Sequence, residues 1–169
     1  MQMLLEIRVA APRHQAWRIL GEEFGAIGDW AAGVLASSLD CSRAGVGAVR
    51  TCEFPASPWV PSRATEQLVD FDAEATTFEY VVTSGNPRFL RHARNRWSVE
   101  ALEGGGCIVR SQVTLALAWW MWPFGALLRR AMQRSLADFA AELRYRIERG
   151  VAHPRKLAAG SAHVAAAAR

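Results

Sequence analysis

The chain has 169 residues, 51% hydrophobic and 21% charged, a balance that suits one globular domain with a sizeable core rather than a disordered or fibrous chain. Its formal net charge of +4 comes almost wholly from arginine, with Lys156 the single lysine, and no basic run sits on a DNA- or RNA-binding motif, so nucleic acid is not an expected partner. Cys41, Cys52 and Cys107 form no CxxC, and His14, His92, His153 and His163 share no ligand spacing, so the expectation is a cytoplasmic chain with reduced thiols, no metal and no cofactor.

Met3, Leu5, Ile7 and Val9 alternate with polar Glu6 and Arg8, which predicts a half-buried first strand. The same opening has too short an apolar run for a signal peptide. Ala11-Pro12 opens a helix, because proline is favoured at the first helical position. Its apolar stripe is Ala16, Trp17, Ile19 and Leu20, and it stops near Gly21. A second short helical piece covers Phe24 to Trp30, punctuated by Gly25 and Gly28.

From Val34 to Trp119 the apolar period is mostly two, broken by turn residues. Strands are expected over 35–39, 48–54, 63–71, 76–84, 89–102 and 107–119. Pro55, Pro58 and Pro61 make the intervening segment a loop and not sheet interior. Glu103 followed by three glycines is a hairpin turn, and short turns throughout imply an antiparallel meander. Phe78, Tyr80 and Val82 share the inward face of one strand; a buried Tyr80 hydroxyl needs a partner, from the core or from a ligand. On the long strand two parities compete. Hydrophobicity points Phe89, Ala93, Asn95, Trp97 and Val99 inward, and the cost of burying Arg94 and Arg96 favours that choice and leaves His92 outside.

Trp119-Trp120-Met121-Trp122-Pro123-Phe124 packs unusual aromatic bulk between the last strand and the last helix. Such bulk is core, a cavity lip or an edge facing lipid. Trp119 continues the inward parity of Val113, Leu115 and Leu117, so Trp120 should be the exposed one. Weak contact with a membrane surface through Trp120 and Trp122 is therefore expected. The longest apolar stretch, 115–128, contains Pro123 and Gly125 and falls short of the about 20 residues a membrane span needs. One helix is predicted over 123–149, with Leu128, Met132, Leu136 and Phe139 facing the sheet at three-four spacing and Gly150 as its cap. The domain is expected to occupy 1–150. The Ala-rich tail, 151–169, is expected to be frayed or disordered.

A strand, two short helices, a six-strand meander and a long helix resemble the START-like helix-grip (SRPBCC) superfamily, and more closely its polyketide cyclase/dehydratase-type branch. The carriers are Pro12 through Trp17, GVGAVRT at 45–51, ATEQLVDFDAEATTFEYVV at 64–82 and WSVEALEGGGCIVRSQV at 97–113. The resemblance implies an α+β fold, a curved seven-stranded antiparallel sheet around a long C-terminal helix, with a cavity between them. For Arg50 and Glu66 the alternation alone is ambiguous, since Val49 and Val69 argue for the opposite face. The resemblance implies that both point inward and lie across from each other, either as a polar anchor for a ligand or as a structural ion pair. The expected function is binding or transport of a small hydrophobic ligand, lipid or polyketide-like. The alternative is a polyketide cyclase, aromatase or dehydratase acting in the same cavity. The expected ligand-binding set is Arg50, Glu66, Phe78, Tyr80, Val82, Phe89, Trp97, Leu128, Met132, Leu136 and Phe139.

Overall fold

The computed structural model describes residues 1–58 and 60–167, the last seven of them by backbone alone. Seven strands are β1 (Gln2–Val9), β2 (Ala36–Leu39), β3 (Val49–Glu53), β4 (Arg63–Asp72), β5 (Thr77–Ser84), β6 (Leu90–Ala101) and β7 (Cys107–Leu117). They form one antiparallel sheet in the order β1-β7-β6-β5-β4-β3-β2. Between β1 and β2 the chain forms α1 (Arg13–Trp17), a π-helical turn (Arg18–Glu22) and a 3-10 helix (Phe24–Asp29). After β7 come a 3-10 turn (Trp119–Phe124), the long helix α2 (Gly125–Arg149) and α3 (Pro154–Ala167). This is the α+β helix-grip architecture that the resemblance implied. Among the described residues no helix is long and apolar enough to cross a membrane.

Alternation sets each strand's inward face. β1 buries Met3, Ile7 and Val9 and exposes Leu4, Glu6 and Arg8. On β6, Ala93, Asn95, Trp97 and Val99 are buried, as the apolar parity required. Arg94 and Arg96 stay on the outer face, where both pair with Glu79. His92 is exposed. The first helical segment then caps the concave face. A Cβ on Gly21 would lie 2.7 Å from the Trp17 ring, so glycine lets the indole fold back against its own helix. Trp17 in turn packs against Phe71 and Phe78.

Three expectations are corrected at the C-terminal end. The last strand stops at Leu117 and the long helix begins at Gly125, not at Pro123, because the intervening residues form a 3-10 turn with Pro123 inside it. Strand parity therefore does not reach Trp119. It is 74% exposed against 46% for Trp120, the reverse of the expected order, and Trp122 is 79% exposed. The tail, expected to be frayed, forms α3 as far as residue 167, consistent with alanine's high helix propensity. Lys156 Nζ donates to the Val34 carbonyl at 2.5 Å and Arg155 pairs with Asp138 at 2.7 Å, tying α3 back to the domain. Residues 59, 168 and 169 lie outside the described set.

α2 is unevenly seated. Its C-terminal half inserts Leu143 and Ile147, both fully buried, and Glu142 accepts the Ala32 N–H at 2.9 Å. Burying side chains of this size contributes about 1.5–3 kcal/mol each. The N-terminal half is only half-buried at Leu128, Met132 and Leu136, and Leu127 is 69% exposed. The helix thus grips the sheet at one end and stands off it at the other.

Candidate functional site

The standing-off leaves a cavity of about 330 Å³ between the concave sheet, the segment after β1 and α2, at the small end of ligand pockets, which run from about 300 to 1,000 Å³. Ile19, Leu20, Phe24, Ile27, Trp30 and Val34 form one wall. Met132, Ser135, Leu136 and Phe139 of α2 form another. The floor comes from the sheet, with Cys52 and Phe54, Phe78, Tyr80 and Val82, Ala93, Asn95, Trp97 and Val113.

One side of this apolar space is polar. Arg50 on β3 and Glu66 on β4 are direct register partners. Arg50 Nε donates to Glu66 Oε2 at 2.7 Å, and Arg50 Nη2 donates to the same oxygen. Arg50 Nη1 donates to the Phe24 carbonyl at 2.7 Å, and the guanidinium lies 3.8 Å from the centre of the Phe24 ring. Arg50 is 4% exposed. Burial is the largest influence and works against its charge, but the Glu66 carboxylate, together with Tyr80 and Cys52, outweighs it and holds the guanidinium's pKa above its ordinary value.

Tyr80 completes the polar wall. Buried Ser111 donates to Asn95 Oδ1 at 2.8 Å, and Asn95 Nδ2 donates to the Tyr80 oxygen at 3.2 Å. This relay supplies the phenol with a donor and leaves its own proton to be given to something in the cavity. Burial, with help from the Glu66 charge, raises the Tyr80 pKa above its ordinary value. Burial likewise pushes the Cys52 thiol up to about 12. Tyr80 and Cys52 are therefore neutral at physiological pH, and the lining contains no histidine. Such a wall can donate and accept hydrogen bonds; it offers neither a thiolate nor an imidazole for covalent or acid–base work. Among the described residues no three His, Cys, Asp or Glu side chains cluster as metal ligands would.

Nine of the expected residues meet at the cavity: Arg50, Glu66, Phe78, Tyr80, Val82, Trp97, Met132, Leu136 and Phe139. Two do not. Phe89 lies in the turn before β6, its carbonyl accepting the Ala118 N–H at 2.9 Å. A register shift between Leu90 and His92 reverses the alternation there, so Leu90 and not Phe89 packs against Met3, Ala93 and Leu115. Leu128 lies outside the lining, a turn beyond Met132, where the helix stands clear of the sheet. Pattern reading missed the wall made by Ile19, Leu20, Phe24, Ile27, Trp30 and Val34. The signal was the apolar stripe of the two short helices, which needed the concave sheet opposite it.

The family model described as "Polyketide cyclase / dehydrase and lipid transport" matches residues 3–148. No curated protein matches the sequence. Among solved structures, a point mutant of norcoclaurine synthase from Thalictrum flavum, in complex with a transition state analogue, aligns with a TM-score of 0.65 at 14% identity, over 85% of this chain and 93% of that one. The norcoclaurine synthase structure with dopamine and hydroxybenzaldehyde aligns with a TM-score of 0.65 at 15% identity, over 85% of each chain. A protein from Thermus thermophilus aligns with a TM-score of 0.69 at 18% identity, over 87% of this chain and 97% of that one. At these identities the structural likeness concerns the fold alone.

Proposed function

The chain belongs to the polyketide cyclase / dehydrase and lipid transport family, and from that premise we propose that it binds and carries a small, hydrophobic, uncharged molecule bearing a hydroxyl or carbonyl group. The observation that carries this reading is the charge balance of the polar wall. Arg50 spends Nε and Nη2 on Glu66 and Nη1 on Phe24, so its charge is already matched. A ligand carboxylate would meet the Glu66 carboxylate as well as the guanidinium. A neutral hydroxyl can donate to Glu66, whose bonds to Arg50 fall on Oε2, and can accept from Tyr80. The aromatic walls supply the apolar part of the affinity. The three free cysteines support a reducing, cytoplasmic setting.

A second reading is cyclisation or dehydration of a polyketide in the same space, favoured by the convergence of Arg50, Glu66 and Tyr80. Catalysis of that kind needs shape plus one or two proton-handling groups. Native mass spectrometry of protein purified from its own host separates the two. A co-purifying neutral compound, lost in an Ala93→Phe variant that fills the cavity, supports carriage. Turnover of a polyketide substrate that Tyr80→Phe abolishes supports the enzyme. Neither an adduct nor binding of an apolar fluorescent probe to the purified protein would refute both.

A further inference from the structure

The sheet brings the start of β1, the end of β5, the start of β6 and the end of β7 to one end of the molecule, since Gln2 pairs with Thr114 and Leu90 with Leu117. Those four strand ends carry no acid. Residues 1–5, 80–99 and 104–137 contain no Asp or Glu. The acids on the neighbouring strands at the same end, Glu53 and Glu66, are paired with Arg63 and Arg50, and Asp138 is paired with Arg155. Against this stand five exposed arginines, Arg88 from the β5–β6 turn, Arg91 from the start of β6, and Arg129, Arg130 and Arg134 from α2.

The same end carries the exposed apolar bulk: Trp119, Trp122, Phe124 and Leu127. Beside them a groove of about 750 Å³ runs between α2 and the β1–β7 edge, with Trp122, Arg129 and Arg130 on one side and Leu115 and Leu117 on the other. An exposed aromatic and aliphatic edge inside a one-sign field matches one phase on both counts, a bilayer surface bearing anionic phospholipid. Indole rings settle at the headgroup level and guanidinium groups pair with phosphate. We infer that this end of the protein is a docking surface for anionic phospholipid membranes. Trp119, Trp122, Phe124 and Leu127 enter the interface, and the groove at Arg129 and Arg130 receives a headgroup. The inference does not depend on what the cavity holds.

Co-sedimentation of the full chain tests it, using phosphatidylcholine vesicles with and without phosphatidylserine at low salt. The protein should pellet with the mixed vesicles and far less with phosphatidylcholine alone, and added salt should weaken the binding. Arg129→Glu with Arg130→Glu should lower the apparent affinity by about tenfold or more, and Trp119→Ser with Trp122→Ser by a similar factor. Arg13→Glu, beyond the far end of β1, should leave it unchanged. Far-UV circular dichroism identical to the parent shows that each variant is folded. Lipids brominated in the acyl chain should quench the parent's tryptophan emission and quench the Trp119/Trp122 variant less. No pelleting of the parent on mixed vesicles would overturn the inference, as would pelleting that neither double variant reduces. Retention on RNA or heparin without vesicle binding would assign the arginines to a soluble polyanion and overturn it too.

Discussion

Glu66→Ala removes one half of a buried ion pair and leaves the other half in place. Arg50, 4% exposed, would keep the Phe24 carbonyl at 2.7 Å and the Phe24 ring at 3.8 Å, but no counter-charge within the pair's geometry. Stranding a buried charge costs about 3–5 kcal/mol. The ring and carbonyl soften that cost, so the lower bound, about 3 kcal/mol, is expected. In a chain of this size it corresponds to a fall in Tm of about 6–12 °C. The double variant Arg50→Met/Glu66→Leu fills similar volume with no charge, and it should return to within about 1 kcal/mol of the parent or exceed it. Urea unfolding followed by tryptophan fluorescence measures all three proteins, with equal m-values as the check that the denatured states match. A Glu66→Ala variant within about 1 kcal/mol of the parent, or a double variant no more stable than the single one, would refute the reasoning. The double variant should also lose the ligand, because the same two side chains make the polar wall.

Leu143→Ala should cost about 2–5 kcal/mol in urea unfolding and Leu127→Ala less than about 0.5, since one is fully buried at the seated end of α2 and the other faces out. Iodoacetamide at pH 8 should label Cys41 in the native protein and leave Cys52 and Cys107 intact until denaturant is added, as peptide mapping will show; Cys52 is buried with its thiol pushed up to about 12. Glu148→Gln should reduce stability at pH 7 by up to about 1 kcal/mol, a difference that shrinks as the pH falls below 4.5. Burial raises the Glu148 pKa, but the Ala10 N–H at 2.9 Å and Arg144 at 3.0 Å outweigh it and hold the carboxyl below its ordinary value of 4.5. Its contribution is therefore present above that value and lost as the pH falls through the lowered one, which unfolding curves across pH 3–7 will show.

Strand faces were legible wherever alternation ran unbroken, as on β1 and over Ala93 to Val99. It misled where the ladder slips. Val69 argued against an inward Glu66, yet it sits at the shift between Leu68 and Asp70, where the period of two is interrupted. The shift between Leu90 and His92 displaced Phe89 in the same way. Nothing in either stretch marks a bulge, because a bulge is a property of two strands and not of one. Periodicity also gave the inward face of α2 but not its distance from the sheet, so Met132 and Leu128 read alike although only Met132 reaches the cavity. Trp119 shows a further limit: parity is meaningless past the residue at which the strand ends.

The edge position of β1 bears on how the molecule is made. Val9 lies opposite Cys107, and among the described residues β1 pairs with no strand but β7. The strand that leaves the ribosome first must therefore wait for the last one, while β2 through β7 can zip together hairpin by hairpin. Until β1 arrives, the β7 edge is a bare row of hydrogen-bonding groups. The β1 of a second chain fits that edge as well as the chain's own. Refolding at high concentration should accordingly yield strand-swapped dimers, which dilution before folding suppresses.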